Sequence, residues 1–450
     1  MLDKKSLRFS NRDLVSLTIP VMISCILSVF AGTVDSAMVS SAGEAAVSAV
    51  SLVDAINILC ITIFSGMAVG GGVILAQYIG NRDYKQASTT ANQMVYINVA
   101  MSTVVMTLLL CVHEPLLKLI YGEMDAELLE NCKTYFFWTL WGYPFSSIGE
   151  ASCLALRAMG KNKQSSACSI SFNVMNVIGN AVLIYGFKLG VAGAAIATTI
   201  SRVTYAVMGL WMAGNKKLLV HQENLLKFQM DFHIIRRILR IGSASSIENG
   251  MFYGGRIMIS RLVATFGTVA IAAHSVADKL TNIPCIIVSA FGTAMMPVIG
   301  QCIGADEKDQ ARYYLKKMTG AGTIGAFVLF AGTILFRNVL VRLYNFDEEA
   351  LKLCAEYTLI LSIGCLIAGY SWAFVPMAGF RAAGDVRYAT TLSLVTMFAF
   401  RVALAYVLNA VFPSLGMLCV YIGMTMDWLI RSVCNMTRYR SGKWLYKKVI

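Results

Sequence analysis

Charged residues are scarce in this 450-residue chain, at 14% of the total, and acidic residues are the rarer kind, with 25 Asp and Glu against 38 Lys and Arg. Hydrophobic residues make up 57%, and the mean hydropathy is +0.64. This composition excludes a single water-soluble core, because too few polar side chains are present to cover the apolar ones. We therefore expect the bilayer to be the solvent for most of the chain.

Histidine is rare, and nucleotide-binding motifs are missing. The four histidines are scattered, so the sequence predicts neither a metal site nor a histidine-based catalytic group. No phosphate loop of the form Gly-x-x-x-x-Gly-Lys occurs, which argues against ATP as the energy source. We expect a protein that is not an enzyme and that needs no cofactor.

Long apolar stretches, by contrast, are abundant. A helix needs roughly 20 mostly apolar residues to cross a bilayer, and twelve such segments occur with short polar breaks between them. We predict an all-α integral membrane protein whose twelve transmembrane helices lie in segments 14–40, 47–79, 92–112, 132–156, 166–186, 190–213, 241–264, 271–303, 318–336, 351–379, 388–411 and 415–436.

The basic residues predict the orientation of these helices. Both termini and the loops after even-numbered helices hold 26 of the 38 Lys and Arg, whereas the loops after odd-numbered helices, together with the first residues of the helices that follow them, hold six. Because basic loops stay in the cytoplasm, both termini are predicted to be cytoplasmic, which requires an even number of crossings. The basic residues are spread over many short loops, so the net charge of +13 does not indicate a nucleic-acid partner.

The chain contains an internal repeat at an offset of 224 residues. The segment Ala76–Gly80 matches Gly300–Gly304, and Leu156–Gly160 matches Phe380–Gly384. Each copy holds six predicted helices, so both copies enter the membrane from the same side. This predicts two six-helix bundles related by a pseudo-two-fold axis along the membrane normal.

We predict three consecutive regions from this repeat. Residues 1–213 form the first bundle and 241–450 the second. Residues 214–240, which are rich in Lys and Arg, form a cytoplasmic amphipathic linker that lies on anionic lipid headgroups.

Asp35 is the clearest candidate for a functional residue, because an acidic residue within a membrane span is costly and usually functional. The same helix contains Pro20, which removes a helical hydrogen bond and can kink the helix. The alternative interpretation is that Asp35 lies near the outer end of its helix and merely contacts water.

Polar residues of the fifth and sixth helices are candidate partners for Asp35. Asn176 and Asn180 lie one turn apart on one helix face, and Thr198 lies on the next helix. Amide and hydroxyl oxygens suit a hard cation once a carboxylate supplies charge, so Asp35 with these three residues is a possible Na⁺ site. Hydrogen bonding between helices is the other interpretation.

Four further features have a structural and a functional interpretation. Glu248 opens the predicted seventh helix, either as an ion-coupling residue or as a favourable charge at a helix N-terminus. The repeat mates Asp54 and Asp278 lie about two turns into their helices, where they either line an outer vestibule or, as the simpler explanation, contact water. The motifs Gly66-x-x-x-Gly70 and Gly250-x-x-x-Gly254 are interpreted as helix-packing sites.

In their order along the chain, these motifs resemble one family, the multidrug and toxic compound extrusion transporters, within the superfamily that includes polysaccharide and peptidoglycan-precursor flippases. The resemblance covers nearly the whole chain. It is carried by Pro20 together with Val34–Met38, Ala76–Gly80, Leu156–Gly160, Asn176-x-x-x-Asn180, Gly190–Thr198, Ile247–Gly250 and Gly300–Gly304.

The resemblance implies two bundles around a central cavity that opens alternately to each side, with H⁺ or Na⁺ entering as drug leaves. It implies that Asp35 is the helix-one carboxylate that family members protonate or use for Na⁺, with Asn176 and Thr198 as its partners. Asn180 stands where many relatives have a second Asp. Tyr370 stands where one subfamily has an acidic residue, so the chain departs from the family pattern at both positions.

Our hypothesis from the sequence is secondary active multidrug efflux, in which organic cations leave in exchange for H⁺ or Na⁺. The alternative is a lipid-linked oligosaccharide or peptidoglycan-precursor flippase, which needs cationic groups for pyrophosphate; Arg202, Arg256, Arg261 and Arg401 keep it open. A membrane enzyme would need clustered carboxylates or histidines at one depth, which the sequence does not show. The expected form is a monomer in a bacterial plasma membrane, with small organic cations and membrane lipids as partners.

Overall fold

The computed structural model describes residues 7–122, 125–222, 225, 229–344 and 346–450. Within these ranges all regular secondary structure is helical. The first half of the chain forms α1 (Asn11–Ser40), α2 (Glu44–Gly80), α3 (Tyr84–Tyr121), α4 (Ala126–Leu140), α5 (Tyr143–Ala158), α6 (Asn162–Asn180) and α7 (Gly190–Ala213). The second half forms α8 (Phe232–Ala264), α9 (Thr268–Gly304), α10 (Lys308–Val341), α11 (Glu348–Ile367), α12 (Tyr370–Ala382), α13 (Val386–Val395), α14 (Leu404–Val411) and α15 (Leu418–Ser441).

Several of these helices are parts of longer rods. A π-helical turn, Ala181–Gly186, continues α6, and another, Thr396–Ala403, joins α13 to α14. With α4 joined to α5 and α11 to α12, the described helices form twelve rods, the number predicted. In the described part of the chain, nine helices are long and apolar enough to cross a membrane by length and composition alone.

The helices are longer than the apolar segments that predicted them. α3 covers 38 residues where 92–112 was predicted, and α10 covers 34 where 318–336 was predicted. At 1.5 Å per residue α3 is about 57 Å long, whereas the hydrocarbon core of a bilayer is about 30 Å thick. Hydropathy therefore identifies only the lipid-facing part, and the helical hydrogen bonds continue beyond it.

Two segments predicted as single helices are broken in the structure. The segment 132–156 is interrupted at Trp141 and Gly142, followed by Pro144 in the first turn of α5, where a missing backbone donor is tolerated. The segment 351–379 is interrupted at Ala368 and Gly369, and Gly369 has a left-handed φ of 62°. Hydropathy does not register such breaks, because the residues on both sides are apolar.

α8 begins at Phe232, well before the predicted start at 241. The side chain of Asp231 caps this end by accepting hydrogen bonds from the backbone amides of His233 and Ile234. Glu248 therefore lies in the middle of α8, and the prediction that it opens the helix is wrong. A stabilising effect on the N-terminal dipole, which decays within the first turn, does not apply to it.

The 224-residue repeat is visible in the backbone. α2 and α9 have the same length of 37 residues and begin 224 positions apart. The left-handed φ angles recur at the same offset in three pairs of residues: Gly43 and Gly267, Arg82 and Asp306, and Gly160 and Gly384. Each copy of the repeat therefore turns at the same places.

The chain divides into two compact units. One is Val15–Asn249, and the other is Gly250–Val449 together with residues 7–14. The boundary falls within α8. The division into 1–213, 214–240 and 241–450 stays a prediction, and residues 223–224 and 226–228 of the predicted linker lie outside the described residues.

The apolar core of the Val15–Asn249 unit fixes the helices that carry the candidate site. Val53 of α2, Phe136 of α4 and Ala195 of α7 are fully buried in one cluster. Each lies within a few residues of a polar side chain described below. The small alanine side chain allows α7 to approach its neighbours closely.

Candidate functional site

Asp35 and Asn180 are in direct contact. The amide nitrogen Nδ2 of Asn180 donates a hydrogen bond to Oδ1 of Asp35. Asp35 lies five residues before the end of α1 and is half-buried, whereas Asn180 is fully buried at the end of α6. The contact therefore joins the first and fifth rods of the fold.

Asn176 and Thr198 extend this contact into a chain of polar groups. Nδ2 of Asn180 lies 3.5 Å from Oδ1 of Asn176, one turn earlier on α6. Nδ2 of Asn176 in turn donates to Oγ1 of Thr198 on α7 at 3.3 Å. The four residues that the sequence nominated together, from Asp35 to Thr198, thus form one hydrogen-bonded group.

One acceptor in this group has no partner. Oδ1 of Asn180 is buried and receives no hydrogen bond from any described residue. An unpaired buried carbonyl oxygen is costly, and here it lies beside a carboxylate. The helix changes to π-helical geometry directly after Asn180, a distortion that is frequent at functional sites. These features suit an oxygen ligand for a cation.

A second carboxylate, Asp54 of α2, lies next to this group. Its Oδ1 accepts hydrogen bonds from the hydroxyl of Tyr135 and from Nδ2 of Asn57, both at 3.1 Å. Asp35 and Asp54 are near enough for their charges to interact, and Tyr135 is close to both. A second acidic residue thus lies near enough to act on a cation at Asp35.

Further polar residues hold the Asp54 side of the site in place. The hydroxyl of Tyr143 donates to Oδ1 of Asn57 at 2.9 Å. Nη1 of Arg202 donates to the carbonyl oxygen of Thr139 at 2.6 Å, and its guanidinium lies 5.6 Å from the centre of the Tyr143 ring. This buried arginine places a positive charge behind the two carboxylates.

The remaining nominated residues are elsewhere. Glu248 is buried in the middle of α8 and forms no hydrogen bond with any of the four residues of the polar chain. Pro20 lies inside α1, which is continuous from Asn11 to Ser40. Its role as a kink stays a prediction, as does ion coupling by Glu248.

Sequence reasoning missed Glu150 and undervalued Asp54. Glu150, on α5, accepts hydrogen bonds from the hydroxyls of Ser65 at 2.8 Å and Tyr205 at 3.0 Å. An acidic residue in a predicted span was the available signal for it. Asp54 was interpreted as contacting water, and its partner Tyr135, 81 positions away in the chain, was not recognised from the sequence.

The site thus consists of carboxylates, amides and hydroxyls held between long apolar helices. Such groups can bind and release a small cation without changing a covalent bond. Together with the twelve-rod helical fold, they define a multi-pass membrane transporter rather than an enzyme.

Comparison with known families identifies this transporter more closely. Residues 20–182 and 244–407 each match the MatE family model, and the two matches begin 224 positions apart, as the repeat predicts. The chain belongs to the MatE family of multidrug and toxic compound extrusion transporters.

Individual relatives agree over almost the whole length. An uncharacterized transporter of Bacillus subtilis, YisQ, is 26% identical, covering 97% of this chain and 95% of the relative. The multidrug export protein MepA of Staphylococcus aureus is 21% identical, covering 93% and 94%. A MATE transporter solved in an outward-facing conformation superimposes with a TM-score of 0.88 at 20% identity, covering 96% of each chain, which shows that the fold is shared.

Proposed function

We propose that this protein exports small organic cations from the cell in exchange for H⁺ or Na⁺, and that Asp35 is the residue at which the two cations compete. Relatives named as multidrug export proteins support the outward direction and drug-like substrates, and the acidic residues of the site support a positive charge on those substrates. The lack of a phosphate loop supports an ion gradient as the energy source.

The polar chain from Asp35 to Thr198 carries this proposal. It supplies one carboxylate oxygen, amide oxygens of Asn176 and Asn180 and a hydroxyl oxygen of Thr198 at one place. The unpaired Oδ1 of Asn180 is the specific observation, because a bound Na⁺ or a hydrated proton would supply its missing partner. Asp54 adds negative charge that attracts such a cation.

Exchange follows from the electrostatics of Asp35. A bound H⁺ or Na⁺ neutralises the carboxylate and weakens its attraction for a cationic substrate, which then leaves. A monovalent organic cation that leaves as one H⁺ or Na⁺ enters moves no net charge, so the concentration gradient of the ion drives a one-for-one exchange. A tenfold ion gradient supplies about 1.4 kcal/mol, which balances a tenfold substrate gradient. Each additional ion that enters per substrate molecule adds about 2.3 kcal/mol at a potential of about 100 mV.

The flippase alternative requires free cationic groups for a pyrophosphate, and three of the four candidate arginines support it poorly. Arg202 is 4% exposed and occupied by the Thr139 carbonyl and the Tyr143 ring. Arg256 is paired with Asp278. Arg401 shares Asp427 with Arg431, and the single net positive charge of these three residues is too small for a pyrophosphate. Cation export accounts better for the acidic character of the site.

We further propose that the protein is a monomer in a bacterial plasma membrane, with both termini in the cytoplasm.

The test is gradient-driven dye transport by the purified protein in proteoliposomes. Vesicles are loaded with a fluorescent cationic dye, and a pH gradient or a Na⁺ gradient is imposed separately. The native protein is compared with Asp35→Asn, which keeps the size of the side chain but removes its charge. Glu44→Gln is the matched control, because Glu44 is an exposed acid at the first turn of the adjacent helix α2.

We expect dye movement under one of the two gradients, its loss in Asp35→Asn and its retention in Glu44→Gln. Unchanged transport in Asp35→Asn contradicts the proposed role of Asp35. If neither gradient moves dye but the vesicles turn over a lipid-linked sugar, the protein is a flippase and the proposed substrate class is wrong.

A further inference from the structure

The Gly250–Val449 unit contains a cavity of its own. Its volume is 260 Å³, and its walls come from α8, α9, α11, α12, α15 and the π-helical turn after α13. Its aromatic lining consists of Phe252, Tyr370, Phe374 and Trp428, together with the imidazole of His274. A volume just below the usual range for drug-sized ligands indicates a small molecule.

Arg401 is the deeply buried charged residue of the cavity wall. Its side chain is only 6% exposed, and its guanidinium lies 5.7 Å from the centre of the Phe252 ring and 5.2 Å from that of Trp428. Its one ion pair, at 3.0 Å, runs from Nε to Oδ2 of Asp427. The terminal nitrogens Nη1 and Nη2 donate no hydrogen bond to any residue that the structure describes.

Asp427 does not fully neutralise Arg401, because it is shared. Nη2 of Arg431 lies 2.8 Å from Oδ1 of Asp427, and Arg431 also donates to Ser393 and Thr396. One buried carboxylate thus faces two buried guanidinium groups, which leaves one net positive charge. An uncompensated charge inside a membrane protein is costly and indicates a missing partner.

The other charged residues of the wall do not supply that partner. Arg256 and Asp278 pair with each other at 3.6 Å, with 54% and 36% of their side chains exposed. His274 is held by the hydroxyl of Tyr421 at 3.2 Å. The deep part of the cavity therefore stays cationic, and it would repel the organic cations proposed above as export substrates.

We propose that this cavity binds the carboxylate of a small aromatic acid. The carboxylate takes both terminal nitrogens of Arg401 in a paired, bidentate contact. The ring of the ligand packs against Tyr370, Phe374 and Trp428, whose own rings already lie within 5.2 Å of one another in two pairs. One net positive charge matches a monoanion rather than a pyrophosphate. This binding site is separate from the proposed export of cations, and the argument for it does not depend on that proposal.

The test measures binding directly on the full-length protein in nanodiscs of uncharged lipid. Benzoate, its neutral isostere benzamide, and chloride are titrated separately by calorimetry. The variants are Arg401→Gln, which removes the charge, and Arg401→Lys, which keeps the charge but loses the paired geometry. Arg261→Gln is the control, because Arg261 is an exposed arginine of the same helix α8 as Phe252 but lies outside the cavity.

We expect benzoate to bind and benzamide to bind at least about tenfold more weakly. Arg401→Gln should abolish benzoate binding, Arg401→Lys should weaken it and Arg261→Gln should leave it unchanged. Asp35→Asn should also leave it unchanged, which separates this site from the proposed ion site.

Three results overturn the proposal. They are equal binding of benzoate and benzamide, benzoate binding by Arg401→Gln with native affinity, and chloride binding that excludes benzoate at equal concentration. If Arg401→Gln does not fold, Arg401→Lys and the comparison of the two ligands on the native protein decide the question.

Discussion

The role of Asp54 depends on the residues that surround it in space, which its position in the sequence does not reveal. It accepts hydrogen bonds from Tyr135 and Asn57 and lies close to Asp35, whereas its repeat mate Asp278 pairs with Arg256 at the edge of a different cavity. The two residues match in the repeat, yet their neighbours differ, and it is Asp54 that interacts with Asp35.

We predict that Asp54→Asn weakens the binding of the coupling ion. Removing a nearby negative charge lowers the local concentration and affinity of a cation, and a tenfold loss corresponds to about 1.4 kcal/mol, the scale of a charge interaction in partly solvated protein. The half-saturating ion concentration for dye transport should therefore rise by about tenfold. Transport at saturating ion should be largely kept.

Asp278→Asn is the matched control for this experiment, since it removes the equivalent acid of the other repeat. Its ion dependence should equal that of the native protein. If Asp54→Asn and the native protein show equal ion dependence, Asp54 does not contribute to ion binding.

The sequence predicts single polar residues well when their partners are close in the chain. Asn176 and Asn180 are one turn apart, and both lie in the site. It predicts less well where the partner is distant: the contact between Asp54 and Tyr135 depends on how α2 packs against α4. The start of α8 was predicted too late, and Glu248 was therefore placed near the start of its helix, because the basic residues of the first turns lower the hydropathy there.

At the scale of helices, the packing of α2 on α8 depends on glycine. A Cβ atom at Gly70 would lie 2.5 Å from the backbone nitrogen of Gly242, and one at Gly66 would lie 2.6 Å from that of Ser246. The first glycine motif is therefore a packing site, as predicted. Gly254 of the second motif would meet no described atom within 4 Å, so the packing interpretation is wrong for it.

We predict that Gly70→Ala destabilises the protein in detergent, whereas Gly254→Ala does not. The added methyl group meets the backbone of α8, which cannot move as a flexible side chain can, and overpacking of this kind costs about 1–3 kcal/mol. Thermal unfolding of both variants, followed by loss of the monodisperse peak in size-exclusion chromatography, measures the difference. Equal midpoints for Gly70→Ala and Gly254→Ala would show that α2 and α8 are not in close contact in the membrane protein.

Helix number was predictable and helix shape was not. Twelve apolar segments gave twelve rods because each must supply enough apolar residues to cross a bilayer. The interruption at Gly369 and the π-helical turns after Asn180 and Val395 involve one or a few residues within apolar surroundings. Such features alter the backbone without altering the hydropathy, so a sequence pattern does not register them.

For the whole molecule, the repeat conserves the scaffold but not the charge. At the offset of 224, Asp35 corresponds to Ile259 and Asn180 to Leu404, whereas Arg401 corresponds to Val177. One unit therefore holds an acidic group between its helices, and the other holds an arginine in an aromatic cavity. The sequence repeat predicted two similar units, and this difference appeared only when distant side chains could be placed together.

The final prediction concerns the orientation of the whole chain in the membrane. The termini and even-numbered loops hold 26 basic residues, against six in the odd-numbered loops and the first residues of the helices that follow them. This difference predicts that both termini are cytoplasmic. A C-terminal green fluorescent protein fusion should fluoresce, and a C-terminal alkaline phosphatase fusion should be inactive, since each reporter works on only one side. Fusions after Lys188, between the fifth and sixth rods, should give the reverse pattern, and fusions after Lys161 should match the C-terminus. An active phosphatase at the C-terminus would contradict this orientation and would place Asp35 near the cytoplasmic rather than the outer end of α1.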